Sequence, residues 1–272
     1  MHIKISHESP ISLLQLSKTY NDFDYCLVHL METHQEYRHY FLNARNIYNR
    51  EVLLDNSIFE LGKAFDPEKY INWVEQIKPN MLVVPDVLEN APLTIDSWVC
   101  FMAEYRARLN KLDSRRIGVV QGKTIHEIKD CYEFMSCNAD IIAISFNMSF
   151  FETYGKGNTK LERQCTGRPA LISHLIKNNW WDWDKPHHLL GCSLPQEFSY
   201  YIRHNIHNIR SIDTSNPIVH GLHNIRYNGT LGLKDKVKQK LAELIEAIPT
   251  RDQMEIVDYN ISFFNKIVQG EI

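Results

Sequence analysis

The segment VLLDNSIFE (residues 52–60) changes abruptly from apolar to polar after its third residue. The apolar start predicts a short buried strand, and the polar continuation predicts a loop that begins with Asp55. A strand that ends on an acid is a common way to build a catalytic site. A plain strand followed by a turn explains the same residues, because Asp and Asn are ordinary turn formers. The segment alone leaves both interpretations open.

The same layout recurs along the chain, where short apolar segments alternate with helical patterns. We expect up to eight strands, at residues 2–6, 23–30, 51–55, 80–85, 116–120, 140–144, 187–190 and 209–212. The first has the weakest pattern, so seven strands with an N-terminal addition stay open as an alternative. Apolar strands separated by helices indicate a parallel sheet that is covered on both faces. With eight such units in 272 residues, a TIM-like (β/α)8 barrel is favoured over a doubly wound sheet. We therefore predict one domain, residues 1–272, that closes with two C-terminal helices.

The connecting segments carry their own signals. Thr124 and Glu127 form one predicted capping box, and Thr250 and Gln253 form another. Ser193 is a predicted N-cap. The remaining expectations are helices at 169–178, 194–204, 232–247 and 251–267, and loops at 147–166 and 214–230.

Composition narrows the class of protein. Six cysteines are scattered without a CxxC pair, which is typical of reduced thiols in a cytosolic protein. No apolar run approaches the roughly 18 residues of a membrane span, and the N-terminus has no apolar signal region, so we expect a cytoplasmic protein without a membrane partner. The net charge is -3, yet residues 151–240 hold 13 Lys and Arg against seven Asp and Glu. This basic segment fits a nucleic-acid footprint or the ordinary charge asymmetry of an enzyme.

Polar residues stand at the predicted carboxyl ends of most strands. They are Asp55, Asp86, Gln121, Ser145, Gly191 with Cys192, and Asp213. Chemistry in (β/α)8 barrels takes place at these strand ends, so the set predicts an active site. Two acids facing one substrate suggest a nucleophile or base paired with a general acid, as in glycosidic-bond chemistry. A third acid and an amide suit the edge of a planar heterocycle, on which Phe59 could stack.

Six short motifs, taken in order, resemble those of tRNA-guanine transglycosylases and their DNA-modifying relatives. They are LDNSIFE at 54–60, VVPD at 83–86, GVVQG at 118–122, IAISF at 142–146, LLG at 189–191 and SIDT at 211–214. The third is nearly the family's G-[IV]-V-Q-G. Each motif is short, and the resemblance depends on their order and spacing.

The resemblance implies base exchange through a covalent intermediate. Asp213 would attack C1′ of a guanosine and displace guanine, and Asp55 would manage protons on the departing and incoming bases. The implied base-binding residues are Asp86, Gln121, Gly122, Ser145, Phe146 and Gly191, with Phe59 and Leu190 on the two faces of the ring. The implied partners are a nucleic acid, whose target base must leave its stack, and a free 7-deazaguanine resembling preQ0. No cofactor is implied.

Two departures from the family refine this expectation. The tRNA enzymes carry a C-terminal zinc site, whereas this chain has no cysteine after Cys192, so we predict no metal. A small member without zinc resembles the phage-type branch that places 7-deazaguanines in DNA, which would put it in the host cytoplasm if it is phage-encoded. Ser145 and Phe146 replace the family's glycine-rich motif, which leaves the incoming base open.

Other functions stay open at this stage. One alternative is a tRNA-guanine transglycosylase, and another is a metal-dependent barrel hydrolase that uses His220 and His223 beside Asp213. A base-excision glycosylase and an inactive nucleotide-binding module are two more. Lys156, Arg168, His220 and His223 are candidate nucleic-acid contacts under any of the nucleic-acid hypotheses. The oligomeric state is not predicted.

Overall fold

The computed structural model describes residues 2–192, 194–227, 237 and 239–272. Within them lie eight strands, at β1 Lys4–His7, β2 Asp24–Leu27, β3 Val52–Asp55, β4 Met81–Val83, β5 Arg115–Val120, β6 Ile141–Ser145, β7 His187–Leu190 and β8 Ile209–Thr214. They form a single sheet in the order β1-β8-β7-β6-β5-β4-β3-β2. The pairs whose register is defined are all parallel. The predicted fold class, a TIM-like (β/α)8 barrel, is confirmed.

Helices connect the strands. The α-helices of the described residues are α1 Ser17–Tyr20, α2 Val28–Thr33, α3 Gln35–Ala44, α4 Ile58–Leu61, α5 Pro67–Ile77, α6 Ala91–Leu109, α7 Ile125–Asn138, α8 Ser149–Tyr154, α9 Lys160–Lys177, α10 Phe198–Arg203, α11 Asn216–Leu222 and α12 Arg251–Gln269. Short 3-10 helices occur at Ile11–Leu16, Pro195–Glu197 and Leu241–Leu244. No helix among these residues is both long enough and apolar enough to cross a membrane.

The chain divides into two compact units. The middle unit is Phe23–Ile144, and the terminal unit combines Met1–Asp22 with Ser145–Ile272. The single domain expected over residues 1–272 stays a prediction.

The middle unit is built on fully buried strands. Val52, Leu53 and Leu54 have no exposed surface, as a strand covered on both faces requires. The buried hydroxyl of Tyr70 lies 3.0 Å from the carbonyl oxygen of Leu54 and 2.8 Å from that of Val83, so α5 is tied to β3 and β4. The predicted capping box at Thr124 is present and begins α7. These contacts fix the carboxyl ends of β3, β4 and β5.

The terminal unit joins the first strand to the last. β1 pairs with β8 so that Ser6 lies opposite Asp213 and His7 opposite Thr214. Side chains of α11 and α12 form an apolar cluster that includes Ile218, Val257 and Ile261. The second predicted capping box, at Thr250, is present and begins α12. This packing buries the segment that follows the carboxyl end of β8.

Several expected connections are wrong. The predicted loop 147–166 contains α8 and the start of α9, because Thr159 and Glu162 form a third capping box. Pro169 does not begin a helix but lies inside α9. The predicted loop 214–230 contains α11, which has a proline in its first turn. The buried segment 23–30 is a strand only as far as Leu27, where α2 takes over.

Two predictions touch undescribed positions. The N-cap at Ser193 lies outside the described residues, and so do positions 232–236 and 238 of the helix expected at 232–247. Within 239–247 the chain forms only the 3-10 helix Leu241–Leu244. The last predicted helix is present as α12, two residues longer than expected at its C-terminal end.

Candidate active site

Asp55 is the last residue of β3 and is almost completely buried. Its Oδ2 accepts a hydrogen bond from the backbone N–H of Ser57 at 2.7 Å. Ser57 has a φ of 59°, a left-handed conformation that is uncommon for a residue with a side chain. The turn that follows β3 is therefore bent sharply around the Asp55 carboxylate. Backbone strain of this kind is concentrated at functional sites.

The surroundings of Asp55 favour its protonated form. Burial raises the pKa of this carboxyl well above its ordinary value, and the nearby charges of Glu60 and Asp86 raise the pKa further. The hydrogen bond from Ser57 opposes the shift but does not cancel it. A buried carboxyl with a raised pKa is suited to act as a general acid.

Asp86 lies three residues beyond β4 and is held by two amides. Its Oδ1 accepts from Asn56 Nδ2 at 2.8 Å, and its Oδ2 accepts from Gln121 Nε2 at 2.7 Å. Burial raises the pKa of Asp86, although both amide hydrogen bonds work against that shift. Gln121 is itself oriented, because its Oε1 accepts from the backbone N–H of Glu89 at 2.9 Å. The structure thus joins Asn56, Asp86 and Gln121 in one buried polar row.

Two further candidates lie close in sequence to this row: Gly122 follows Gln121, and Phe59 is three residues after Asn56. Gly122 has a φ of 152°, and a Cβ there would lie 2.9 Å from the backbone nitrogen of Ile128. Only glycine fits at this position, so the GVVQG motif has a structural reason at its last residue. Phe59 belongs to α4 and is 37% exposed, so its ring is not part of the core. An aromatic ring that reaches the surface can offer a face for stacking.

Asp213 is the corresponding acid of the terminal unit, in β8, and is 3% exposed. The backbone N–H of Gly191 lies 3.1 Å from each of its two carboxylate oxygens. His188 Nε2 lies 2.9 Å from Oδ1. The Gly191 N–H donates to both oxygens, and His188 donates as well when its ring carries the proton on Nε2.

His188 continues the network away from Asp213. Its Nδ1 lies 2.8 Å from the hydroxyl oxygen of Ser211, and its ring is almost completely buried. His188 pairs with Ser211 in the β7–β8 register, so both lie on the strand face that carries Asp213. On the other side of β8, the buried hydroxyl of Ser6 lies opposite Asp213 and has no hydrogen-bond partner among the described residues.

Gly191 follows β7 in a left-handed conformation, with a φ of 64°. A Cβ at Gly191 would lie 2.4 Å from the ring of Phe146, so the ring packs directly on the glycine. The backbone N–H of Phe146 donates to the carbonyl of Leu190 at 2.9 Å. The candidates Phe146, Leu190 and Gly191 are thus brought together, and Ser145 precedes Phe146 with its hydroxyl 3.3 Å from the Asn147 N–H.

Arg168 has a role other than the nucleic-acid contact expected from the sequence. Its guanidinium is fully buried and forms an ion pair with buried Glu197. It also donates to the carbonyls of Leu190 at 3.2 Å and Gly191 at 2.9 Å. A buried side chain cannot reach a phosphate on another molecule. Arg168 instead fixes the peptide that presents the Gly191 N–H to Asp213.

The other candidate nucleic-acid contacts are divided between the interior and the surface. His220 is buried, and its Nδ1 lies 2.8 Å from the carbonyl oxygen of Asn216, one turn earlier in α11. His220 therefore belongs to the packing of α11. Lys156 and His223 are exposed and remain candidates for contacts with phosphates.

The histidines of this chain do not converge on a metal site in the part that the structure describes. No group of three or more His, Cys, Asp or Glu side chains there is arranged to hold a metal ion. His187, next to His188, stacks on Trp181 with ring centroids 3.8 Å apart, and its Nδ1 lies 3.0 Å from the carbonyl oxygen of Lys185. His187 is therefore part of the packing.

Three residues of the site cannot be identified from the sequence motifs. Asn56, His188 and Ser211 hold the acids but are not among the residues inferred from the sequence. Strand periodicity offers a signal, because Ser211 and Asp213 are two residues apart and must share one face of β8. His188 depends on the register between β7 and β8, which the sequence does not reveal.

Comparisons with protein-family models and with curated proteins find no match for this chain.

Proposed function

We propose that the protein is a base-exchange glycosyltransferase that replaces guanine in DNA by a 7-deazaguanine, with a covalent intermediate on Asp213. The single observation that supports this most is the contrast between two buried strand-end acids. Asp55 lies in surroundings that raise its pKa, whereas the backbone N–H of Gly191 donates to both carboxylate oxygens of Asp213. Two carboxyls in unlike environments are the arrangement from which an acid and a nucleophile are made.

The proposed first half-reaction uses both acids. Asp213 bonds to C1′ of the target nucleotide while the C1′–N9 bond breaks and its electron pair leaves with guanine. Asp55 gives its proton to the departing base. In the second half-reaction the incoming 7-deazaguanine loses its N9 proton to Asp55 and forms the new bond to C1′, which releases Asp213 as a carboxylate. Asp55 is the last residue of β3 and Asp213 the second-last of β8, and chemistry in (β/α)8 barrels takes place at the carboxyl ends of the strands.

The proposed base-binding residues combine a fixed polar row with apolar faces. Asp86 and Gln121 hold each other's orientation, so they can present remaining donors and acceptors to the polar edge of a purine. The exposed ring of Phe59 supplies one stacking face. Leu190, half-buried at the end of β7, supplies the other. A site that exchanges a base within a polymer must receive that base flipped out of its stack.

DNA is proposed over tRNA because the chain lacks the clustered cysteines that the tRNA enzymes use for zinc. The test is incubation of the protein with labelled guanine or a labelled 7-deazaguanine and either duplex DNA or tRNA. We expect label in DNA and a denaturation-resistant protein–DNA adduct. Asp213→Asn should abolish both, and Asp55→Asn should slow exchange by about 10²–10⁴-fold, the usual contribution of general acid–base catalysis.

Each other outcome has a definite meaning. Label only in tRNA contradicts the DNA assignment, and release of guanine without incorporation indicates a glycosylase. Undiminished exchange in Asp213→Asn removes the proposed nucleophile. Loss of activity on treatment with a chelator favours a metal-dependent hydrolase.

A further inference from the structure

The two oxygens of the Asp213 carboxylate have different partners. Oδ1 lies 2.9 Å from His188 Nε2 and 3.1 Å from the Gly191 nitrogen. Among the described residues, Oδ2 has only the shared Gly191 N–H, also at 3.1 Å. Oδ2 is therefore the oxygen with free lone pairs, whereas Oδ1 is restrained by a side chain.

The hydrogen-bond chemistry decides which nitrogen of His188 carries a proton. In the proposed reaction Asp213 attacks as a carboxylate, which can only accept hydrogen bonds, so the contact assigns Nε2 as the donor to Oδ1. Nδ1 can then accept from the Ser211 hydroxyl, whose oxygen lies 2.8 Å away. Because the ring is buried, water cannot easily replace either partner.

From this geometry we infer that His188 and Ser211 are positioning residues that hold Asp213 for attack through Oδ2. The inference rests on the proposed function. Ser211 donates to Nδ1, the Nε2–H of His188 donates to Oδ1, and Oδ2 is left to bond to C1′ as the C1′–N9 electron pair leaves with the base. Oδ1 then becomes the carbonyl oxygen of the glycosyl ester.

The same hydrogen bond acts in the second half-reaction. When the C1′–Oδ2 bond breaks, its electron pair returns to Asp213, and the Nε2–H of His188 stabilises the carboxylate that forms. A hydrogen bond to a charged group contributes about 1.5–3 kcal/mol, which corresponds to roughly tenfold to 150-fold in rate. His188 does not contact the reacting carbon, so its removal should lower kcat without weakening the binding of nucleic acid.

The protein itself offers a matched comparison on β7. Gln carries an amide nitrogen near the position of the histidine Nε2, so His188→Gln can still donate to Oδ1, whereas His188→Leu cannot. His187 is also a buried histidine, but its Nδ1 lies 3.0 Å from the carbonyl oxygen of Lys185 and its ring stacks on Trp181. His187→Gln therefore serves as the control for loss of a buried ring on the same strand.

The kinetic arm measures base exchange. We expect His188→Leu to lower kcat by about tenfold to 100-fold with KM for the nucleic acid within twofold, and Ser211→Ala to lower it by a smaller factor. His188→Gln should keep kcat within about threefold of the wild-type value, and His187→Gln should leave it unchanged. Equal losses in His188→Gln and His188→Leu, or a loss confined to KM, would overturn the inference.

The spectroscopic arm needs no activity. Long-range proton–nitrogen correlation spectra of protein labelled with ¹⁵N-histidine distinguish the two tautomers, and His188→Gln identifies the His188 signals by their disappearance. We expect a ring that carries a proton on Nε2, with an Nδ1 shift that moves in Ser211→Ala. A ring protonated only at Nδ1 would overturn the inference. If the wild-type protein exchanges no base, the proposed function fails, and the tautomer still decides whether Asp213 is held by His188.

Discussion

Asp55 and Asp213 are both buried acids at strand ends, but their partners give them different properties. Burial and the nearby charges of Glu60 and Asp86 raise the pKa of Asp55. The backbone N–H of Gly191 donates to both carboxylate oxygens of Asp213. Keeping a carboxyl in surroundings that disfavour its charge lowers the stability of the folded state, as is common at catalytic sites. This effect of Asp55 on the free energy of unfolding can be measured without knowledge of the substrate.

Asp55→Asn should stabilise the protein, and by more at high pH than at low pH. Because the folded-state pKa of Asp55 is raised, the folded protein binds more protons than the unfolded chain above the unfolded pKa near 4. Stability is therefore lost as pH rises through the folded pKa. Asparagine cannot ionise, so the variant should gain about 0.5–2 kcal/mol in the free energy of unfolding at pH 8 relative to the wild type, and less at pH 4.

Denaturant unfolding at a series of pH values measures this difference. Asp66→Asn is the control, since Asp66 is an exposed N-cap whose side chain accepts from the Lys69 N–H, and asparagine caps equally well. The control should change stability by less than about 0.5 kcal/mol. A destabilised Asp55→Asn variant at pH 8 would contradict the assigned surroundings of Asp55.

Among single residues, the sequence identifies those members of the site that stand at the ends of predicted strands. Asp55, Asp86, Gln121 and Asp213 could be proposed because each follows a predicted strand. Asn56 was read as a turn residue, yet its amide links Asp86 to the turn after β3. The contact depends on which residues of neighbouring strand ends are adjacent, and no local pattern specifies that.

The end of β7 depends on one buried ion pair. Arg168 in α9 pairs with Glu197 and donates to the carbonyls of Leu190 and Gly191. The carboxylate of Glu197 also accepts from the thiol of Cys192 and the hydroxyl of Tyr201, each at 3.2 Å. A buried pair of this kind is sensitive to removal of one partner, because the other charge stays buried without compensation.

Arg168→Met should lower the free energy of unfolding by about 3–5 kcal/mol. Arg115→Met is its control, because Arg115 is exposed and lies 3.5 Å from Glu51, and surface pairs contribute about 0–1 kcal/mol. Chemical denaturation of both variants measures the difference. Similar small losses in the two variants would show that the buried pair does not support β7.

Local sequence signals explain which helix starts were predicted correctly and which were not. The capping boxes at Thr124 and Thr250 predict the starts of α7 and α12. The same signal at Thr159 begins α9, but nearby glycines and Pro169 favoured a loop and a later helix start. Tertiary packing decides between such competing signals, since Gly167 and Pro169 are both buried within α9.

The two ends of the described chain meet within the terminal unit. Gln269, the last residue of α12, accepts from the Ile3 N–H at 3.3 Å and donates to the Ile3 carbonyl at 2.8 Å. Its amide thus forms a hydrogen-bonded clasp between α12 and the residue before β1. The clasp adds to the pairing of β1 with β8 and to the hydrogen bonds that the backbone of Ile5 and His7 forms with Asn21 and Asp22.

Gln269→Ala should lower the free energy of unfolding by about 1–2 kcal/mol, because two hydrogen bonds with the backbone of Ile3 are lost. Gln76→Ala is the control, since the side chain of Gln76 bonds only within its own helix, to the carbonyl of Asn72. That variant should lose less than about 0.5 kcal/mol. Equal stabilities of the two variants would contradict a structural role for the clasp.

For the whole molecule, periodic apolar strands were enough to predict the (β/α)8 class. Strands covered on both faces leave a continuous apolar signature, and eight of them separated by helices admit few architectures. The first strand was the weakest, and it is shifted from the expected 2–6 to Lys4–His7. Its pairing with β8 joins residues that are about 200 positions apart, which no local pattern could indicate.

Nucleoside mass spectrometry of DNA and tRNA tests the central claim most directly. Cells that express the protein are supplied with a 7-deazaguanine, and cells with the Asp213→Asn variant serve as the control. The account predicts the deazaguanine nucleoside in DNA from wild-type cells and its absence with the variant. An unmodified DNA pool, or modification that persists with Asp213→Asn, would contradict the account.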